Sequence, residues 1–220
     1  MKVLMIDGHP APDRLSTRLL DHFAASLPPG HEVGRIALRD LSFDPVLHDG
    51  YATRQPWEPD LLDAARRIDA CDHLVLAFPM WWGGEPALVK GFVDRVFLPH
   101  FTFRYHDNDP SWDGLLAGRS ADLFVTMDTP PLFLRFGYHN AIVHRWRKQI
   151  MEFVGFSPVH FHSFGVVRRG GAEKQMTKWL GRVAGAAKAV AGHSRKARQS
   201  RLGDFLAYRD AGGSSRLESP

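Results

Sequence analysis

Three short runs in this chain are apolar on both faces, and each ends at a loop rich in glycine or proline. Residues 2–7 (KVLMID) run into Gly8-His9-Pro10, residues 73–78 (HLVLAF) into Pro79-Met80-Trp81-Trp82, and residues 120–127 (SADLFVTM) into Asp128-Thr129-Pro130-Pro131. Continuous rather than alternating apolar character is what a strand covered on both sides requires, and such strands belong to parallel sheets flanked by helices. Residues 32–38 and 159–166 read as two further strands. Between the strands the apolar period changes to that of helices, as in Leu15, Leu19, Leu20 and Phe23, or Leu61, Leu62, Ala65 and Ile68. Pro28-Pro29-Gly30 ends the first helix, and further helices are expected at 60–70, 86–97 (with proline at its first position), 140–154 and 173–191. The expectation is an α/β fold: a doubly wound five-stranded parallel sheet with helices on both faces, one domain over residues 1–192. Residues 193–220 are polar and basic and read as a flexible tail. Leu202, Phe205, Leu206 and Tyr208 give that tail an apolar anchor at near-helical spacing, with docking weak at best because ordering offsets burial.

Several classes drop out. The longest apolar stretch, residues 74–82, is nine residues with a proline inside it, too short to span a bilayer, and no secretory core follows Met1. Cys71 is the single cysteine, so no internal disulfide forms, and it reads as an inert buried thiol in a cytoplasmic protein. The net charge of +4 conceals an asymmetry, with 12 Lys/Arg against 4 Asp/Glu from Arg168 onward. Solvated helix faces and chain ends account for that count, and the basic segment lacks interleaved aromatics. Neither a nucleic-acid partner nor membrane insertion is expected. His160 and His162 lack a third ligand at matching spacing, so no metal is expected.

In doubly wound sheets ligands sit beyond the carboxyl ends of the strands, which directs attention to residues 8–17, 79–85 and 127–139. Neither G-x-G-x-x-G nor the P-loop pattern occurs. The first loop offers an anion backbone N–H groups, Ser16, Thr17, His9 and Arg14, although an ordinary βα turn capped by a hydroxyl explains the same residues. The second sets Trp81 and Trp82 beside Gly83 and Gly84. Two adjacent indoles cannot share one buried strand face, and a flat aromatic ligand against the loop resolves the conflict. Packing beneath the Trp57 segment, or at a subunit interface, is the alternative.

The GHP loop with its following hydroxyls, and above all FPMWWGGEPALVKGFVDRVF (residues 78–97), resemble the flavodoxin-like NAD(P)H:quinone oxidoreductases. These are the DT-diaphorase, modulator of drug activity B and potassium-efflux ancillary reductase type. The resemblance covers about residues 1–191. It implies that His9, Leu15, Ser16 and Thr17 cradle a flavin phosphate. It implies Pro79, Met80, Trp81, Trp82 and Gly83 at the isoalloxazine edge, and Thr126, Met127, Asp128 and Thr129 at its pyrimidine end. Tyr138 and His139 are the residues nearest to the family's hydride-transfer pair. Phe103 and Tyr105 correspond to aromatics that cap the substrate site of the partner in a homodimer. The implied activity is hydride transfer from NAD(P)H through bound flavin to a quinone or similar flat electrophile. FMN is expected, with FAD as the alternative, because no second signature for an adenylate is present. The chain departs from the family at Arg14, where serine is usual, and at Met127-Asp128-Thr129-Pro130-Pro131, where Thr-Thr-Gly-Gly is usual. A regulatory flavoprotein subunit docking on a transporter shares the resemblance, and a flavodoxin-type electron carrier shares the fold. Such carriers are short and strongly acidic, whereas this chain is basic.

Overall fold

The computed structural model describes residues 1–168, 170–190, 192 and 199–210. Five strands, β1 (Lys2–Asp7), β2 (Glu32–Ala37), β3 (His73–Pro79), β6 (Ser120–Thr126) and β7 (Val159–Phe164), form one sheet in the order β2-β1-β3-β6-β7. Every pairing in it is parallel. Between β3 and β6, β4 (Phe103–Tyr105) and β5 (Trp112–Gly114) pair as a small antiparallel ribbon.

The period-two geometry of the strands divides the core between the two faces. Val3, Met5, Val75, Ala77 and Phe124 point towards α1 (Leu15–Ser26) and α6 (Gly171–Val190), meeting Leu19, Leu20, Phe23, Trp179 and Val183. Leu4, Ile6, Leu74, Leu76, Phe78, Leu123 and Val125 point the other way. There they meet α2 (Pro59–Ala70) through Leu61, Ala65 and Ile68, and α3 (Ala87–Val96) through Val89 and Phe92. All seven residues of β3 and of β6 are buried, as central strands covered on both sides must be.

The structure departs from the expected elements in four places. Residues 140–154 do not form one helix. A six-residue helix, α4 (Pro131–Phe136), starts on the Pro130-Pro131 pair; His139 and Asn140 then turn through left-handed backbone. The chain resumes as α5 (Ala141–His144) and widens into a π-helical turn over Arg145–Met151, in which the Glu152 N–H donates to the Arg147 carbonyl, five residues back, at 2.8 Å. The fourth and fifth expected strands stop earlier, at Thr126 and Phe164. The aromatic arm folds inward: Phe101 and Phe103 are buried, and Phe103 packs against Phe153 of its own chain. Of the expected flexible tail, residues 202–210 instead form α7 (Leu202–Asp210), with Leu202 and Phe205 buried and Phe205 against Trp57 and Phe101. Residues 193–198 and 211–220 lie outside the described residues.

Candidate functional site

Parallel strands deliver their following loops to one edge, so the loops after β1, β3 and β6 meet. The first is organised by Asp7, the fully buried last residue of β1. Its carboxylate accepts hydrogen bonds from the His9 N–H (3.1 Å), the Thr17 hydroxyl (2.8 Å), the Ser16 hydroxyl (3.4 Å) and the Arg39 guanidinium (2.8 Å). Burial alone would raise its pKa. The bonds from Arg39, Thr17 and the His9 N–H outweigh burial and hold the carboxyl below the usual aspartate value. Next comes Gly8, where a Cβ would lie 2.5 Å from the Val89 side chain, so only glycine lets the loop cross α3 this closely.

His9 is half-buried, and burial pushes its imidazole below the ordinary histidine value. Its Nδ1 lies 2.9 Å from the Ala11 N–H and accepts from it, so the neutral ring carries its proton on Nε2. Its ring and that of Trp81 stand nearly perpendicular, 5.7 Å apart between centres. Arg14 stands exposed, with extended backbone, immediately before the first turn of α1.

The second loop is a tight turn. Trp81 and Gly84 exchange backbone hydrogen bonds of 2.9 and 3.0 Å, while Trp82 and Gly83 between them take positive φ of 52° and 79°. Two consecutive left-handed residues are the requirement of a type I′ turn, which glycine meets readily and tryptophan does not. Trp82 is thereby fully exposed at the turn's tip, and Trp81 is about half exposed. Neither indole tucks under Trp57, which packs on Phe101 and Phe205 instead. The turn is moored by Glu85, whose side chain is nearly inaccessible. It accepts two hydrogen bonds from Arg145, at 2.6 and 2.7 Å, and one from the Trp146 indole at 3.1 Å.

In the third loop the Met127 N–H donates to the Phe164 carbonyl at 2.9 Å, and Asp128 accepts the Arg168 N–H at 2.8 Å. Gly165 passes so close that a Cβ there would lie 2.7 Å from the Thr129 carbonyl oxygen. Prolines 130 and 131 then open α4.

These loops enclose a cleft of about 230 Å³. Arg14, Ser16 and His9 form its polar, cationic end, with Leu15 beside them. Pro79, Met80, Trp81 and Met127 supply its apolar lining, and Thr126, Asp128 and Val167 complete it. Nine of the thirteen residues expected at the cofactor therefore line one cavity. The other four stand elsewhere: Thr17 bonds Asp7, Trp82 and Gly83 form the turn's tip, and Thr129 packs its carbonyl on Gly165. Tyr138, against Phe133, and His139 lie exposed beyond α4, outside the cavity lining. Phe103 and Tyr105 sit on β4 beside Phe153, also outside it.

Sequence reading missed Asp7, Arg39, Glu85 and Arg145. Only the two acids carried a signal there, as carboxylates inside otherwise apolar segments, because Arg39 and Arg145 acquire their roles through the tertiary approach of distant elements. Cys71 is buried with its thiol on the Ile68 carbonyl. His162 pairs with Asp122, and no metal-binding group of side chains exists among the described residues.

A five-stranded parallel sheet wound on both sides, with its cleft at the carboxyl edge of β1, β3 and β6, defines a class of nucleotide-binding scaffold. The family model described as a flavodoxin-like fold matches residues 1–185, and the chain belongs to that family. It is 29% identical over 160 residues to an FMN-dependent NADH:quinone oxidoreductase of Alcanivorax borkumensis, covering 66% of this chain and 78% of that one. The crystal structure of Smu.1420 from Streptococcus mutans superposes with a TM-score of 0.73 at 28% identity, covering 86% of this chain and all of the other. An FMN-dependent NADH-azoreductase of Bacillus anthracis, solved in complex with FMN, has the same fold with a TM-score of 0.71 at 16% identity, covering 87% of this chain and all of the other.

Proposed function

We propose that the protein is an FMN-dependent NAD(P)H oxidoreductase that reduces quinones or similar flat electrophiles. The observation that carries this reading is that one cleft combines the cationic, hydroxyl-bearing first loop with an apolar lining from the second and third. That donor set fits a phosphorylated flavin: an anion beside Arg14, Ser16 and the His9 Nε2–H, and a ring system along Pro79, Met80 and Trp81. The Alcanivorax relative, named for FMN, NADH and quinone, supports the same assignment. FMN is preferred over FAD because the described cleft has one cationic end.

Bound flavin supplies two-electron hydride chemistry, and the protein supplies placement and electrostatics. Arg14 would pair with the phosphate dianion at the start of α1, where unpaired backbone N–H groups already favour negative charge. Asp7, kept ionised by Arg39, fixes the Ser16 and Thr17 hydroxyls and the turn at His9. Phe164 already occupies the Met127 N–H, so the Asp128 N–H would be the third loop's backbone donor to the ring. Glu85 and Arg145 hold the Trp81 wall in place. Tyr138 and His139 are assigned to the substrate side, as exposed groups on the segment leaving the third loop. A cytoplasmic homodimer completes the proposal, with the exposed Tyr105 and Trp112 rings of the β4-β5 ribbon as its supporting surface.

The test is titration of the purified chain with FMN and with FAD, followed by visible absorbance and flavin fluorescence. FMN should bind with quenched fluorescence and become reduced on adding NADH or NADPH. Double-reciprocal plots with a quinone should be parallel, as donor and acceptor use one site in turn. A chain that binds neither flavin rejects the assignment.

A further inference from the structure

Beneath the polar end of the cleft lies a buried charge of the wrong sign for an anion. The Asp7 carboxylate is inaccessible to solvent, and two residues that donate to it, His9 and Ser16, line the cleft. An anion held there is one hydrogen-bonded residue away from a carboxylate, a range at which like charges inside a protein repel. The Thr17 hydroxyl gives its one proton to Asp7 at 2.8 Å and has none left for a ligand. The Ser16 bond is longer, 3.4 Å, and Ser16 is the hydroxyl that lines the cavity. What offsets Asp7 comes from outside that lining. Arg39, in the short 3-10 turn Leu38–Asp40 after β2, donates to the carboxylate at 2.8 Å and to the His9 carbonyl at 3.4 Å. Its side chain is only 16% exposed. Arg35 of β2 stands 3.7 Å from the same carboxylate but is shared with Asp21, and Asp40 lies 3.8 Å from the Arg39 guanidinium.

We propose that Arg39 is a positioning residue for phosphate: without lining the cleft, it cancels the Asp7 charge so that the cleft prefers a phosphorylated flavin to an unphosphorylated one. The inference rests on the function proposed above and deepens it, since Arg14 attracts the anion directly whereas Arg39 acts through Asp7. Two consequences separate this role from a purely structural one. The first is selectivity: riboflavin, the same ring system without the phosphate, should hardly sense Arg39. The second is pH. With Arg39 replaced by a neutral residue, burial pushes the Asp7 carboxyl up, and its protonation in acid removes the opposing charge. His9, which feels both Asp7 and Arg14, and the Arg35–Asp21 pair are common to parent and variant. So is the titration of the phosphate itself at about pH 6, and the ratio of variant to parent affinity therefore isolates Asp7.

Titration of the purified chain with FMN and with riboflavin, followed by flavin fluorescence, tests the proposal. At neutral pH Arg39→Gln should weaken FMN about tenfold and riboflavin by no more than about twofold, as one unopposed charge near the phosphate requires. The FMN deficit should shrink between about pH 8 and about pH 5 as Asp7 takes up its proton. Arg39→Lys keeps the cation, and the double variant Asp7→Asn, Arg39→Gln removes both charges; each should recover most of the preference for FMN over riboflavin. Asp7→Asn alone leaves Arg39 unopposed and should raise that preference above the parent's, which keeps the proposal falsifiable should Arg39→Gln not fold. Equal losses of FMN and riboflavin in Arg39→Gln, a deficit indifferent to pH, or an Asp7→Asn preference no greater than the parent's overturns it. Inorganic phosphate provides an arm without flavin. Against chloride at equal ionic strength, it should raise the melting temperature of the parent more than that of Arg39→Gln. If neither flavin binds, the oxidoreductase assignment falls and this comparison alone decides the role of Arg39, with equal shifts rejecting it.

Discussion

Arg14 and Asp7 divide the work of the first loop: one faces the cleft, the other builds it. Arg14 is exposed and makes the cleft cationic, so Arg14→Ala should weaken FMN binding by about 1.5–3 kcal/mol, the range of a charge-assisted hydrogen bond, and leave the melting temperature nearly unchanged. A fluorescence titration beside a thermal melt separates the two effects. Asp7 should behave in the opposite way. Its folded pKa lies below its value in the unfolded chain, so its stabilising contribution is complete above the unfolded value near 3.8 and is lost as pH falls through the folded one. Asp7→Asn removes the buried carboxylate that pairs with the partly buried Arg39 and should cost roughly 3 kcal/mol at neutral pH. Urea unfolding at neutral pH and at successively lower pH from about 4 should show the difference between parent and variant narrowing as the parent's carboxyl becomes protonated.

At the scale of elements, the second loop takes its shape from a partner far along the chain. Its tip holds a tryptophan in left-handed backbone, and the bidentate Glu85–Arg145 pair is what ties that turn to the π-helical segment. Glu85→Ala leaves Arg145 and the Trp146 indole without their acceptor. It should cost about 3 kcal/mol, or roughly 6–12 °C in Tm for a chain of this size. FMN affinity should fall with it, because Trp81 is the wall that the pair positions. A melt and a flavin titration of the same preparation check both parts; a variant that melts normally and binds FMN normally would show that the turn holds itself.

For the molecule as a whole, the C-terminal helix closes the fold. Asp69, at the end of α2, accepts the Arg119 guanidinium at 3.0 Å and the Arg201 N–H at 3.0 Å, and also the Ser200 hydroxyl. From that fixed point α7 lays Phe205 on Trp57 and Phe101. The long connection carrying Trp57, the α3 side of the core and the C-terminal segment are therefore one packed unit. Phe205→Ala should destabilise the protein by about 3 kcal/mol, the cost of truncating a buried ring. Chemical denaturation measures it, and a loss within experimental scatter would mean that α7 contributes no packing. The weak docking expected from ordering costs did not include Asp69, which supplies polar contacts that a count of apolar side chains omits.

The doubly wound sheet was legible in the chain because burial on both faces leaves a mark that short-range sequence carries: unbroken apolar runs in β1, β3 and β6, with helical periods between them. Nine residues of the cleft were legible for a related reason, since parallel strands must present their following loops at one edge. What the sequence could not reveal depends on pairs distant in the chain. The Glu85–Arg145 clamp spans 60 residues, Arg39 reaches Asp7 across 32, and Arg201 reaches Asp69 across 132. Local periodicity is equally silent on the break of the expected 140–154 helix into α4, a left-handed link and a π-helical turn. That break depends on where Trp146 and Arg145 must stand to meet Glu85. Periodic burial is a property of neighbours in sequence, and charge pairing is a property of neighbours in space; only the folded chain supplies the second.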